Sequence, residues 1–264
     1  LNAAFEVKRA ENFNTSITFL SKSITKESIK TMHIPDGFIS PYVAGVTFVV
    51  TLIFWAISFR KVKNNLDEKQ VPLMALLTAL FFAAQMVNYP IVGGTTAHLL
   101  GAAALGIVFG PYAGCISMTI ILVLQAFLFG DGGLTTLGAN VFNMGIVGVF
   151  VPAFLLIALN KASRGKGLFV WVFISAFLGD VLAATAAGFE LGLSVPMFHY
   201  GLSVAVPAMV LNHSVIGAIE GIVTVALISV LLKLRPDVLS KSPSLRMVAS
   251  SITQENRGEA SEHE

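Results

Sequence analysis

The sequence predicts an all-α polytopic membrane protein: a bundle of about seven transmembrane helices, N-terminus outside and C-terminus in the cytoplasm. Three observations carry that expectation. Of 264 residues, 55% are hydrophobic and only 12% charged, about half the charged share of a soluble domain, and the mean hydropathy is +0.79. The apolar residues gather into long runs, and a spanning helix needs about 20 of them. Lys and Arg are confined to alternate loops. Lipid offers no partner to backbone polar groups, so a chain crosses it as helices or as a closed barrel. These runs are too long and too continuously apolar for barrel strands.

Taken in order, the first run, 41–59, is followed by Arg60, Lys61, Lys63 and Lys69. The second, 71–88, carries Ala75, Ala79 and Ala83 at four-residue spacing, where small side chains let another helix approach. Such a stripe serves equally to dock a partner or to pack one chain. The third, 97–110, is short and joined to the fourth, 112–129, through Gly110-Pro111; Ala102, Gly106 and Gly110 on it suit internal packing. The fifth, 137–159, precedes Lys161, Arg164 and Lys166. The sixth, 168–190, contains Asp180. The seventh, 205–231, contains His213 and Glu220 and is followed by Lys233, Arg235, Lys241 and Arg246. Loops 89–96, 130–136 and 191–204 contain no Lys or Arg. Basic loops mark the cytoplasmic side, so an odd number of spans puts residues 32–40 outside.

The domain organisation follows. Residues 32–233 form the membrane domain and 234–264 a polar cytoplasmic tail. Residues 1–31 carry Lys8, Arg9, Lys22, Lys26 and Lys30 on the wrong side and lack the apolar core of a signal peptide. The chain begins with leucine, as if a non-AUG codon had been read literally, and the working protein is expected to start at Met32. A pro-segment removed by proteolysis is the second reading and a retained tail the third. The single cysteine, Cys115, rules out an intrachain disulfide framework or a Cys-based zinc site. A net charge of +2 gives no reason to expect nucleic acid.

A start at Met32 gives "MHIPDGFIS" a chemical meaning. A free terminal amine followed by His33 is a chelator: the amine and the His33 amide nitrogen close one ring on an ion, that amide and the His33 imidazole a second. Three nearly coplanar nitrogens leave one position open, a geometry that suits Ni(II) or Cu(II) better than tetrahedral zinc. The fourth donor should lie on the same side. His98, in "VGGTTAHLLGAA", fits at the outer start of the third helix, near a Thr95 or Thr96 N-cap, where the helix dipole keeps imidazole neutral. A lone histidine at a helix end more often hydrogen-bonds a loop; sharing a side with Met32-His33 favours coordination. His199 reads as an interfacial residue. Asp180, His213 and Glu220 read as structural, kept neutral or hydrogen-bonded to Asn140, Asn143, Asn212 or one another. Asp131, the only charge in its loop, is expected to cover or support the site, with Asn140 and Asn143 as further supports.

"MHIPDGFIS", "AAQMVNYPIVGGTTAHLLGAAALGIVFGP" and "LVLQAFLFGDGGLTTLGANVFNMG" together resemble the substrate-binding membrane subunit of energy-coupling-factor cobalt/nickel transporters, over residues 32–233. The resemblance implies seven helices in a prokaryotic inner membrane. It implies Co(II) or Ni(II) as transported ligand, with no organic cofactor, held in a square plane by Met32, His33 and His98. It also implies a membrane coupling subunit and two ATP-binding-cassette ATPases as partners, with room for a small accessory subunit. The 31 residues before Met32 depart from the pattern.

Two other classes compete. An autonomous metal-ion channel or carrier would need a polar path, for which Asp180 and Glu220 are the only hints. An intramembrane metal-dependent enzyme would need a hydrolytic signature such as H-E-x-x-H, which is absent. The chain also has no phosphate-binding G-x-x-x-x-G-K-[ST] motif, so ATP-driven uptake requires partner ATPases.

Overall fold

A computed structural model describes residues 33–65, 67–246 and 248–250. Met32 and the segment before it, and the chain beyond 250, lie outside the described residues. Each apolar run yields a helix: α1 Pro41–Asn65, α2 Val71–Gln85, α3 Ala102–Phe109, α4 Pro111–Phe129, α5 Leu137–Ser163, α6 Leu168–Gly192 and α7 Leu202–Leu234. Five of them, α1 and α4 to α7, are long and apolar enough to cross a membrane. At 1.5 Å per residue, 15-residue α2 reaches about 22 Å and eight-residue α3 about 12 Å, both short of a hydrocarbon core of about 30 Å.

The third run differs most from expectation. It begins not as a helix but as a two-stranded antiparallel hairpin, β1 (Asn88–Pro90) against β2 (Thr96–His98), in which Asn88 pairs with His98. Thr95 and Thr96 therefore cap no helix. Gly101, at φ 70°, turns the chain into α3 in the left-handed conformation that glycine accepts without strain. All eight residues of α3 are buried. Its apolar letters record enclosure by protein rather than contact with lipid, which is why an apolar run did not mean a spanning helix here.

Small residues let α3 sit at the centre. A side chain at Gly106 would strike the Val149 carbonyl of α5, and one at Gly114 of α4 would strike the Gly106 backbone. The Ala102–Gly106–Gly110 stripe is thus internal packing. The α6–α7 pair is close for the same reason: Gly188 faces the Val206 backbone and Gly217 the Phe177 carbonyl.

Two helices change winding beside the site. The last turn of α4, Gln125–Phe129, and the stretch Val141–Val147 of α5 are π-helical, a form that occurs mostly as short insertions and frequently at functional sites. After α7, the segment read from sequence as the start of a polar tail folds back. Leu239 and Leu245 are buried in the main core, Ser242 Oγ donates to the Ile107 carbonyl, and Asn160 Nδ2 donates to the Ser244 carbonyl at 2.9 Å.

Candidate functional site

The loop 33–40 is tied down by the loop that joins α4 to α5 and by the first turn of α5. Asn140 grips the Ile34 peptide as another peptide would: its Oδ1 accepts from Ile34 N and its Nδ2 donates to Ile34 O, each at 3.1 Å. The same carbonyl accepts from Thr136 Oγ1 at 2.6 Å and Gly133 N at 3.0 Å. Asp36 receives Leu134 N at 3.2 Å, Thr135 N at 2.8 Å and Thr135 Oγ1 at 2.5 Å. Partial burial raises the Asp36 carboxyl, but these donors outweigh it and hold the group below its ordinary range. A side chain at Gly133 would collide with Asp36. "GDGGLTTLGAN" is therefore a clamp on the segment that begins at His33.

The clamp holds His33 beside His98. Both are buried, and their ring centres lie 5.0 Å apart with planes at 71°. Two imidazoles on adjacent corners of a square, with bonds of about 2 Å, would have centres about 4.5 Å apart. His33 Nε2 lies 2.8 Å from Gln125 Oε1, whereas His33 Nδ1 is buried with no hydrogen-bond partner among the described residues. Burial pulls the His33 pKa below the usual imidazole value; the Asp131 carboxylate and the Gln125 bond oppose that shift without cancelling it. His98 sits at the end of β2, its Nδ1 3.3 Å from the Leu99 carbonyl.

These rings open onto a cavity of about 40 Å³ lined also by Asn140, Asn143, Met209, His213 and Ala183. That volume holds a few water-sized particles and excludes an ion with its full hydration shell. Among the described residues no group of three or more His, Cys, Asp or Glu side chains is placed to hold a metal.

Asp131, expected to cover or support the site, is buried near His33. Asn143 lines the cavity and donates to Glu190 Oε2 at 2.7 Å. His213, expected to pair with membrane carboxylates, instead lines the cavity, its Nδ1 3.0 Å from Met209 O on its own helix. Glu220 accepts Leu100 N and Gly101 N, each at 3.1 Å, while Asp180 packs against Gly217 and neither of its oxygens has a hydrogen-bond partner among the described residues. The expected bonds to Asn140, Asn143 and Asn212 do not form, because Asn140 holds Ile34, Asn143 holds Glu190, and Asn212 donates to Ala208 O on its own helix. His199 is exposed, away from the cavity. Gln85, Gln125 and Glu190 were missed, although each stands out as a polar letter in an apolar run.

Residues 33–238 match the family described as the cobalt uptake substrate-specific transmembrane region, CbiM. The chain belongs to this family. Among CbiM relatives, the fused nickel transport protein NikMN of Rhodobacter capsulatus is 39% identical over 222 residues, covering 79% of this chain and 64% of that protein. The cobalt transport protein CbiM of Thermosipho melanesiensis is 34% identical over 208 residues, covering 76% and 87%. A truncated transition metal transporter of known structure superposes with a TM-score of 0.72 at 38% identity, over 76% of this chain and 98% of that one. The chain is a multi-pass membrane protein of a transporter family, consistent with a prokaryotic inner membrane, and not an enzyme.

Proposed function

We propose that this CbiM-family chain captures Ni(II) or Co(II) from outside the cell as the substrate-binding subunit of an energy-coupling-factor importer. In this reading the working chain begins at Met32. The ion is held in a plane by the Met32 amine, the His33 amide nitrogen once it has released its proton to water, His33 Nδ1 and a ring nitrogen of His98. The observation that carries it is the buried, unpartnered His33 Nδ1 beside His98. A buried polar atom without a partner costs free energy, and this is the atom that closes the second chelate ring.

Uptake is driven by a membrane coupling subunit and two ATP-binding-cassette ATPases. Two observations support such partners. A relative is named as a fused transport protein of which this chain spans 64%. Ala75, Ala79 and Ala83 are exposed along α2, and Ala75 and Ala79 line an apolar groove of about 490 Å³ between α2 and α4.

The test compares nickel and cobalt binding by protein starting at Met32, by His98→Ala, and by a variant with one residue inserted between Met32 and His33. Both changes should abolish selective binding while the bundle still folds. Retained binding by His98→Ala would remove it from the site, and retained binding by the insertion variant would remove the terminal chelate.

A further inference from the structure

We infer that Gln125 and Gln85 act as positioning residues that fix the His33 tautomer, so that Nδ1 presents its electron pair to the cavity. The inference rests on the nitrogen site proposed above. Three consecutive contacts carry it, running from His33 through α4 and α2 to the loop that follows β2.

The polarity of this chain is decided at its far end. Gln85 Nε2 lies 2.7 Å from the Leu100 carbonyl and 3.5 Å from Met118 Sδ. A carbonyl oxygen and a thioether sulfur can only accept, so the amide end of Gln85 facing them must be its NH2. That leaves Gln85 Oε1 to accept from Gln125 Nε2 at 3.1 Å. Gln125 Oε1 is then the atom facing His33, and an oxygen can only accept, so His33 Nε2, at 2.8 Å, must carry the proton. A neutral imidazole has one N–H, so Nδ1 is left with the lone pair. Leu100 is held in turn by Glu220, which accepts its N–H. Both glutamines are wholly buried, so water does not compete for the amides. The reverse tautomer would turn an N–H towards the cavity and require both amides to flip against Leu100 O.

The test reads the tautomer without metal. Protein starting at Met32, with ¹⁵N-labelled histidine and in lipid nanodiscs, is compared with Gln125→Leu, Gln85→Leu and Gln85→Glu, the His33 signals being assigned by their loss in His33→Gln. The wild type should show a protonated Nε2 and a bare Nδ1. Gln125→Leu and Gln85→Leu should give a mixture of tautomers and weaken nickel binding by about ten- to a hundredfold, the usual cost of losing an outer partner of a metal-ligating histidine. Gln85→Glu keeps an acceptor for Gln125 and should restore the wild-type tautomer although its bond to Leu100 is lost. A protonated Nδ1 in the wild type, or an unchanged tautomer in both leucine variants that fold, would overturn the inference. If Gln125→Leu does not fold, the Gln85 pair decides. A bare Nδ1 in protein starting at Met32 that nonetheless binds no nickel would sink the planar site and leave the relay standing.

Discussion

Replacing Asn140 with alanine probes how much of the binding affinity is held in the clamp. Ile34 is 2% exposed, so once Oδ1 is gone its N–H has no protein partner and little access to water. An unsatisfied buried donor costs about 1–3 kcal/mol, and an ordinary hydrogen bond contributes about 1 kcal/mol net. The Ile34 carbonyl suffers less, because Thr136 Oγ1 and Gly133 N still reach it. The total is about 2–3 kcal/mol, charged against the docked state of loop 33–40. If the ion binds only to the docked loop, Kd for nickel rises by about 30- to 150-fold. Calorimetric titration of protein starting at Met32 measures it, with a melting curve to show that the bundle survives. A nickel Kd within threefold of the wild type, in a folded Asn140→Ala protein, would refute the idea that this amide holds a ligand in place.

Three further outcomes are expected. Ala79→Leu fills an exposed position in the α2 groove and should leave nickel binding intact while blocking uptake in cells that supply the coupling subunit and ATPases; normal uptake would move the docking face elsewhere. Nickel affinity should fall about tenfold for each pH unit through neutrality, since the His33 amide must release its proton to bind, and about a hundredfold per unit below about 7.7, where the terminal amine must release one as well. Burial holds the His33 pKa below the usual imidazole value, so its own proton adds little to the slope above that value; a profile flat between pH 6 and 8 would exclude the terminal chelate. Gly106→Ala puts a methyl against the Val149 carbonyl and should cost about 2 kcal/mol of overpacking, lowering the melting temperature by about 4–8 °C; an unchanged melting curve would mean that α3 can slide away from α5.

The helices were legible because lipid leaves few alternatives: a run such as 168–190, long, apolar and flanked by turn residues, must close its hydrogen bonds locally. His33 and His98 were legible for a related reason, since imidazoles in so apolar a chain call for an explanation and topology put them on one face. The hairpin that carries His98 was not. Three-residue strands show no alternation to read, and Thr95-Thr96 imitates a helix cap. Nor could the sequence show that Asp36 would meet Thr135, nearly a hundred residues away. The glutamines were visible but mute, because the bond between Gln125 and Gln85 spans forty residues and joins two helices whose packing no local pattern encodes.

The polar contacts of the site follow from where its two histidines are placed. Neither lies on a regular helix: His33 is on a loop and His98 on the last residue of a short strand, both inside the bundle. Irregular backbone at such depth survives only when protein satisfies its N–H and C=O groups. Asn140 and Thr136 do so for Ile34, Glu220 for the N–H groups of Leu100 and Gly101, and Gln85 for the Leu100 carbonyl. Each of these bonds acts within three residues of a histidine, so satisfying the backbone and aiming the imidazoles are one task. Substitutions that keep donor and acceptor in place, such as Thr136→Ser, should therefore spare both fold and binding. Apolar replacements of equal volume, harmless elsewhere in the membrane, should damage both together.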